Sequence, residues 1–316
     1  MKLFANSCAA ILVTCLGLGG GAGFARAADA PPALEVKVVR AGNVELHYVE
    51  LGNGVPVIFV HGSVDDYRAF ESQLEPLSQR YRAISYSRRY NFPNVASVPS
   101  GSHSALVEAD DLASLIKALG AHPAHVVGHS YGAYTALILA MKHPELVRSL
   151  VLAEPPLLRW LPKRPGGQHL YADFMNNMWD PTGREFRLGH PEQALRITID
   201  WFGRNGYLIE GKPAKFDALP AEVRGLIMEN SLEWQALTTS SDAFPMLDRA
   251  AVKAITVPIL LMSGQNTMQI NKQIDTELKK LLPKAETVVI RGATHEMWAE
   301  QPDVCRARVA TFLAKH

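Results

Sequence analysis

Gly128-His129-Ser130-Tyr131-Gly132 follows an apolar run at residues 124–127 and precedes a stretch of helical character at residues 133–142. This is a G-x-S-x-G pattern between a strand and a helix. The turn forces the serine into a strained backbone conformation, and glycines on either side let the strand and the helix pass closely. The pattern therefore predicts an exposed hydroxyl group on Ser130 at the start of a helix.

Strand-like and helix-like stretches alternate on both sides of this motif. Short apolar or alternating runs predict strands at residues 35–39, 44–50, 55–60, 82–87, 126–127, 149–153, 259–263 and 287–290. Helical periodicity predicts helices at residues 67–79, 104–119, 133–142, 271–282 and 302–314. Such alternation is typical of the α/β class, with a mostly parallel sheet covered by helices on both faces.

Residues 155–254 interrupt the alternation. They have helical periodicity without a clear strand pattern and contain four of the five tryptophans, Trp160, Trp179, Trp201 and Trp234. Large rings of this kind form the core of a helical insertion, and some are expected to face a substrate. We predict a helical cap at 155–254, between core segments at 28–154 and 255–316.

The first 27 residues have the features of an export signal. Lys2 is followed by an apolar core at residues 8–18, by glycines, and by Ala25-Arg26-Ala27, a small-residue cleavage site. The apolar run is too short to span a bilayer. A lipoprotein signal processed at Cys15 is a minor alternative. We predict that residues 1–27 are removed and that the protein is periplasmic or secreted.

The composition of the mature chain limits its partners. One cysteine, Cys305, is left after removal of the signal, so no internal disulfide can form. Of the 32 basic residues 30 remain against 31 acidic ones, which implies no nucleic-acid partner and no stable membrane association. The histidines are scattered and no H-E-x-x-H or C-x-x-C spacing occurs, so we predict no metal and no cofactor.

Three further motifs accompany the serine turn, and each follows a predicted strand. They are His61-Gly62-Ser63, Glu154, and Gly292-Ala293-Thr294-His295. Together with residues 128–132 they resemble the α/β-hydrolase superfamily over nearly the whole mature chain. The order of nucleophile, acid and histidine is the order that these enzymes use. The resemblance implies an α/β-hydrolase fold and a serine hydrolase whose substrates are a small molecule and water.

Ser130 needs a base, because a free serine hydroxyl is essentially un-ionised at neutral pH. His295 is the candidate, since it alone of the 11 histidines lies between the last predicted strand and the C-terminal helix. His129, next to the nucleophile, is predicted to pack or to line the pocket. His61 resembles the histidine that braces the oxyanion loop in the family and is a second candidate for the pocket.

The resemblance also implies an oxyanion hole made of main-chain N–H groups, those of Ser63 and Tyr131. Because the donors are main-chain groups, we expect the shape of the loop to matter more than the side chains of Ser63 and Tyr131. Gly62 is therefore expected to be more sensitive to substitution than either of them. Met297 and Trp298, beside the predicted base, are further candidates for the pocket wall.

The position of the triad acid departs from the usual family pattern. Most members carry it beyond the strand predicted at 259–263, but here that loop, Gln265-Asn266-Thr267-Met268-Gln269, has no carboxylate. Glu154 closes the preceding strand, where it resembles the acid of haloalkane dehalogenases and zearalenone-type lactonases. Its role would be to accept the Nδ1 proton of His295. Alternatives are that Asp275 is the acid and that Glu154 merely caps the insertion.

A serine nucleophile disfavours dehalogenase and epoxide-hydrolase chemistry, in which an aspartate stands at this position. Arg88 matches a family arginine, for which we prefer a structural role. We predict hydrolysis of a small or medium, largely apolar ester or lactone through an acyl-enzyme. Carbon–carbon bond hydrolysis, perhydrolase activity and a ligand-binding protein on the same fold are the alternatives.

Overall fold

The computed structural model describes residues 34–94, 103–209 and 211–316. The predicted export signal lies outside these ranges and stays a prediction. The strands in the described ranges are β1 (Lys37–Ala41), β2 (Val44–Leu51), β3 (Val55–Val60), β4 (Tyr81–Tyr86), β5 (Ala124–His129), β6 (Val147–Ala153), β7 (Leu208–Ile209), β8 (Lys212–Pro213), β9 (Ile259–Gly264) and β10 (Glu286–Ile290).

The α-helices of the same ranges are α1 (Glu71–Ser78), α2 (Ala105–Ala118), α3 (Tyr131–Lys142), α4 (Gly167–Phe174), α5 (Asp180–Arg187), α6 (Pro191–Arg204), α7 (Ala221–Glu229), α8 (Ser231–Thr238), α9 (Arg249–Lys253), α10 (Gln269–Leu281), α11 (Met297–Glu300) and α12 (Pro302–Leu313). None of the described helices is both long enough and apolar enough to cross a bilayer.

Eight of the described strands form one sheet in the order β1-β2-β4-β3-β5-β6-β9-β10. β2 pairs antiparallel with both β1 and β4, and every other pairing in the sheet is parallel. A parallel sheet puts the carboxyl ends of its strands along one edge, which is where loops gather functional side chains. The predicted α/β class with a mostly parallel sheet is confirmed.

Both faces of the sheet are covered, so its central strands are apolar on both sides. In β3, Ile58 and Val60 belong to the core that contains residues of α2, α3 and α10. Val57 and Phe59 belong to the opposite core, which contains residues of α1 and α12. Alternate residues of a strand point to opposite faces, so a strand that is buried on both faces needs an unbroken apolar run.

Between β6 and β9 the segment 155–254 contains α4 to α9 and the short β7–β8 hairpin. Its core contains a cluster of rings in which Trp179 lies 5.2 Å from Trp234 and 4.8 Å from Phe244, measured between ring centroids. The hairpin was not predicted from the sequence, because two-residue strands carry no measurable periodicity. The core and cap boundaries at residues 154 and 254 stay a prediction.

Backbone segments approach one another closely where β5 passes into α3. A Cβ atom on Gly132 would lie 2.2 Å from the carbonyl oxygen of Val60, and one on Gly128 would lie 2.5 Å from Cα of Ala133. Neither neighbour is a flexible side chain that could move aside. Both glycines are therefore required by strand and helix packing.

Replacing Gly132 by alanine should lower the free energy of unfolding by about 3 kcal/mol, because the added methyl group forces α3 away from β3. Urea unfolding followed by circular dichroism measures this change. Gly225→Ala is the matched control, since Gly225 lies inside α7 with no atom within 4 Å of the new Cβ position. The free energy of unfolding of the control should rise by about 0.5–1 kcal/mol, because alanine is favoured over glycine inside a helix. An equal response of the two variants would contradict the packing argument.

Candidate active site

A cavity of about 120 Å³ lies at the carboxyl ends of the parallel strands. The predicted site residues that line it are Ser63, His129, Ser130, Tyr131, Glu154 and His295. They come from the ends of β3, β5, β6 and β10, so the sheet brings together side chains that are as much as 232 residues apart. The rest of the wall comes mainly from the segment 155–254 and from the start of α10.

Ser130 stands at the tight turn between β5 and α3. Its backbone has φ +52° and ψ −121°, and its N–H donates to the carbonyl oxygen of Ala153 at 2.8 Å. Among the described residues, the others with positive φ that are not glycine are Val64 and Glu154. All three line the cavity. Strained backbone persists only where its surroundings enforce it, and it concentrates at functional sites.

The carboxylate of Glu154 faces the imidazole of His295. Nδ1 of His295 lies 2.5 Å from Oε2 of Glu154, within hydrogen-bond distance, and the hydrogen bond is charge-assisted because its acceptor is a carboxylate. The His295 side chain is 12 % exposed, and the Glu154 side chain is fully buried. With Nδ1–H donating to the carboxylate, the ring presents Nε2 as an acceptor.

The loop after β9 holds Glu154 in place. The main-chain N–H of Gly264 donates to Oε1 at 2.8 Å. Thr267 Oγ1 and Asn271 Nδ2 donate to Oε2 at 2.7 and 2.8 Å. The absence of a carboxylate from this loop was clear from the sequence, but the role of its hydrogen-bond donors was not predicted. The sequence signal for that role is the polar pair Thr267 and Asn271, which lies where most family members carry the acid itself.

Asp275, the alternative acid, does not reach His295. Its carboxylate forms an ion pair with Lys279 one turn further along α10, at 2.6 Å. It is also absent from the described lining of the cavity. Among the described contacts, Asp275 is paired with Lys279 within α10, and Glu154 is the carboxylate that contacts His295.

The charges around His295 decide its protonation. Burial by itself lowers the pKa of an imidazole, but here the hydrogen bond and charge of Glu154, with the charges of Glu296 and Glu300, outweigh burial and raise the pKa of His295 above 6.5. The imidazole of His295 is therefore held close to an anion that favours its protonated form.

His129 joins the serine turn to the histidine loop. Its Nε2–H donates to the carbonyl oxygen of His295 at 2.9 Å, and the two rings lie 4.7 Å apart between centroids. Burial and the nearby His295 lower the pKa of His129 to about 3, so this ring is neutral at physiological pH. Its predicted place in the pocket wall agrees with the lining of the cavity.

His61, Met297 and Trp298 were also candidates for the pocket, and their side chains do not line the described cavity. His61 is fully buried, with Nδ1–H donating to the carbonyl oxygen of Gly62 at 2.8 Å. Trp298 packs edge-on against Phe70, at 5.1 Å between centroids. The short helix α11 directs Met297 and Trp298 into the core beneath the sheet, which corrects the expectation based on their closeness to His295.

Aromatic rings of the segment 155–254 close the cavity from above. Those in the lining are Phe174, Trp201, Phe202, Tyr207, Trp234 and Phe244. Two of the four tryptophans of this segment, Trp201 and Trp234, therefore face the cavity, as expected for some of them. Trp160 and Trp179 instead pack within the segment.

The charged residues in the described lining are all acidic: Asp65, Glu154 and Glu296. Burial, together with the negative charges of Glu296 and Asp66, raises the pKa of Asp65 well above its usual range. Burial also raises the pKa of Glu296, although His295 opposes this. Among the residues described, no group of three or more His, Cys, Asp or Glu side chains is arranged to hold a metal ion.

Comparison with known proteins adds an independent line of evidence. Residues 57–308 match the model of the alpha/beta hydrolase family. The chain is 27 % identical over 282 residues to a 2-(acetamidomethylene)succinate hydrolase of Mesorhizobium japonicum, covering 87 % of this chain and 94 % of the relative.

Two solved structures share the fold. A carboxylesterase of Bacillus subtilis is 19 % identical, with a TM-score of 0.69 and coverage of 90 % of this chain and 93 % of its own. An enol-lactonase of Burkholderia xenovorans is 20 % identical, with a TM-score of 0.62 and coverage of 88 % of this chain and 100 % of its own.

In a ¹⁵N-detected NMR titration, His295 should show a pKa raised above the ordinary value of a histidine, and Glu154→Gln should lower that pKa, because the variant loses the hydrogen bond and the charge that contribute most to offsetting burial. His61 and His129 are internal controls, since burial and neighbouring positive groups lower the pKa of each to about 3 and neither should titrate above pH 5. An unchanged His295 pKa in the variant would show that the 2.5 Å contact does not govern its protonation.

Proposed function

The chain belongs to the alpha/beta-hydrolase family, and we propose that it is a serine hydrolase that cleaves small or medium, largely apolar carboxylic esters or lactones. The observation that carries the proposal is the 2.5 Å contact between His295 and Glu154 beside the strained Ser130 in one cavity. With the export signal predicted for residues 1–27, the proposal includes a periplasmic or secreted location.

In the first step Ser130 Oγ attacks the carbonyl carbon of the substrate while Nε2 of His295 accepts the hydroxyl proton. The carboxylate of Glu154 keeps the proton on Nδ1 and stabilises the imidazolium that forms. The hydrogen bonds that it accepts from Thr267 and Asn271 fix the orientation of the carboxylate toward Nδ1 of His295. This arrangement converts an un-ionised hydroxyl into a nucleophile at neutral pH.

The attack moves negative charge onto the carbonyl oxygen, which needs donors already in place. We assign this role to the main-chain N–H groups of Ser63 and Tyr131. Tyr131 is the first residue of α3, and the N–H groups of a first helical turn have no partner within the helix. Ser63 approaches from the other side: a Cβ atom on its neighbour Gly62 would lie 3.3 Å from Cβ of Ser130.

Collapse of the tetrahedral intermediate expels the alcohol, which takes its proton from His295 and leaves an acyl group on Ser130. Water then attacks the acyl-enzyme with His295 again as base, and the acid is released. A lactone is an ester closed into a ring, so it follows the same steps with one product instead of two. The proposal therefore treats esters and lactones as one substrate class.

The cavity limits the size and polarity of the substrate. Its volume of about 120 Å³ is somewhat smaller than the roughly 150 Å³ that holds one benzene molecule in an engineered protein cavity. Seven Phe, Trp or Tyr side chains line it, six of them from the segment 155–254, and apolar groups gain free energy by leaving water for such a surface. These features support a substrate with a small, apolar acyl or alcohol part.

The charge of the cavity supports a neutral substrate. Its described lining holds three carboxyl groups and neither lysine nor arginine, and Oδ2 of Asp65 lies 3.7 Å from the Gly62 Cβ position that is also close to Ser130. Burial raises the pKa of Asp65 and of Glu296 and so favours their uncharged forms, and a substrate carboxylate brought into this space would be desolvated without a described lysine or arginine to pair with it. The relative from Mesorhizobium japonicum is named for a succinate, and we do not extend that substrate to this chain.

The direct test is labelling of the folded protein with a fluorophosphonate, followed by peptide mass mapping. We expect the label on Ser130 and its loss in Ser130→Ala. Glu154→Gln should lower kcat for a neutral ester by about 10³- to 10⁴-fold, because the imidazole loses its anionic partner, while Asp275→Asn should retain most activity. A folded protein without label on Ser130, or an inactive Asp275→Asn beside an active Glu154→Gln, would overturn the assignment.

Substrate charge can be tested with a pair of esters of similar shape. Methyl 4-methylpentanoate is neutral, and monomethyl succinate carries a carboxylate in place of the isopropyl group. We expect kcat/KM to be at least tenfold higher for the neutral ester, and, at a pH high enough to ionise Asp65, we expect Asp65→Asn to reduce that preference because it removes a negative charge from the lining. Asp303→Asn makes the same change of charge on the surface, where the Asp303 side chain is 83 % exposed, and should leave the preference intact.

A further inference from the structure

Glu233 of α8 belongs to the segment 155–254, yet its carboxylate contacts the loop that follows β3. Its Oε2 accepts a hydrogen bond from the main-chain N–H of Val64 at 3.2 Å. Its Oε1 accepts one from Nη2 of Arg88 at 2.9 Å. The Glu233 side chain is 0 % exposed, so no water competes for either oxygen. One carboxylate therefore links a helix of the predicted cap to the core.

Arg88 holds the same loop from the other side. Its Nη2 also donates to the carbonyl oxygen of Gly62 at 2.9 Å, and its main-chain N–H donates to Nε2 of His61 at 3.0 Å. Residues 61–64, hereafter the oxyanion loop, are thus held at His61, Gly62 and Val64. Ser63, the proposed oxyanion donor, is the residue between the points of attachment.

The conformation of the oxyanion loop needs this support. Val64 has φ +54°, a left-handed conformation that is strongly disfavoured for a β-branched residue. Such a conformation persists only when its neighbours enforce it. The Val64 N–H donates its hydrogen bond to the carboxylate of Glu233, so the strained residue is the one that the predicted cap holds directly.

We propose that Glu233 is a positioning residue through which α8 keeps the oxyanion loop bent, so that the N–H of Ser63 points to the oxygen of the substrate attacked by Ser130. The oxyanion hole is then complete only while α8 lies on the loop, and seating of the cap and catalytic competence are linked. This inference rests on the proposed function, because it assumes the role assigned to the Ser63 N–H.

A purely structural role for Glu233 makes different predictions. Arg88 is also paired with Glu108, which in turn accepts a hydrogen bond from His103 at 2.8 Å. Removing the charge of Glu233 leaves Arg88 and Glu108 as a balanced pair, so the core should still fold. If Glu233 served stability alone, its loss would change the fraction of folded protein and leave the turnover of folded enzyme unchanged.

The variants Glu233→Gln and Glu233→Asp separate these roles. Glutamine offers one acceptor where two are needed, and aspartate keeps the charge but is too short to reach both Val64 and Arg88. We expect kcat to fall about 10- to 100-fold in each with KM within threefold of the unmodified enzyme, because removal of an oxyanion donor typically costs 10²- to 10³-fold and here the donor is misplaced rather than lost. The rate of fluorophosphonate labelling should fall in parallel.

Glu277→Gln is the matched control. Glu277 is a buried carboxylate, 4 % exposed, that pairs with Arg164 and Arg249 of the segment 155–254 but does not touch the oxyanion loop. Its replacement removes the same charge from another contact between core and predicted cap. We expect kcat within twofold of the unmodified enzyme. A loss of kcat equal to that of the Glu233 variants would overturn the inference.

A second substitution tests the strain at Val64 itself. Glycine adopts positive φ without steric cost, so Val64→Gly combined with Glu233→Gln should let the oxyanion loop keep its bend without the carboxylate of Glu233. We expect the double variant to regain at least fivefold in kcat over Glu233→Gln. A purely structural defect in the cap would show no such rescue.

The outcomes distinguish the two proposals. Absence of label on Ser130 of the unmodified protein overturns the proposed function. A labelled Ser130 with kcat unchanged in both Glu233 variants leaves the proposed function standing and overturns the positioning role. A loss of kcat without rescue by glycine at position 64 also overturns it.

Discussion

The two oxygens of one buried carboxylate, Glu154, connect segments that are far apart in the sequence. Gly264 at the end of β9, Thr267 in the next loop, Asn271 of α10 and His295 after β10 all donate to it or contact it within 2.8 Å. An unpaired carboxylate in this position would cost several kcal/mol. Because the partners come from the β9–α10 segment and from the loop after β10, satisfying this charge fixes the relative position of β6, β9 and the histidine loop.

The loop after β9 is the place where most members of the superfamily carry their acid, and here it supplies hydrogen-bond donors to a carboxylate at the end of the neighbouring strand. β6 and β9 are adjacent and parallel, so their ends lie side by side and either can present a carboxylate to the same imidazole. Thr267 and Asn271 then compensate for the missing carboxylate by binding the one that replaced it. The positive φ of Glu154 is the local cost of ending β6 in this way.

A second buried charge, Arg88, organises the other side of the cavity. It pairs with Glu108 of α2 and with Glu233 of α8, and it donates to the carbonyl oxygen of Gly62. Burial raises the pKa of Glu108, but Arg88 and His103 outweigh it and lower that pKa to about 2. The structural role preferred for Arg88 from the sequence agrees with these contacts. The site is thus held between two buried ionic groups, one behind the histidine and one behind the oxyanion loop.

The sequence by itself determined the α/β class, most strands to within two residues, and the motifs that carry Ser130, Glu154 and His295. These features depend on local physics: the period of apolar residues, the glycines of a tight turn, and the position of a polar residue at the end of an apolar run. Tertiary structure alone decided that Thr267 and Asn271 serve Glu154, that Glu233 reaches Val64, and that Trp298 lies in the core instead of the pocket. Those contacts join residues from separate elements, and their partners depend on how strands and helices are packed, which no local pattern encodes.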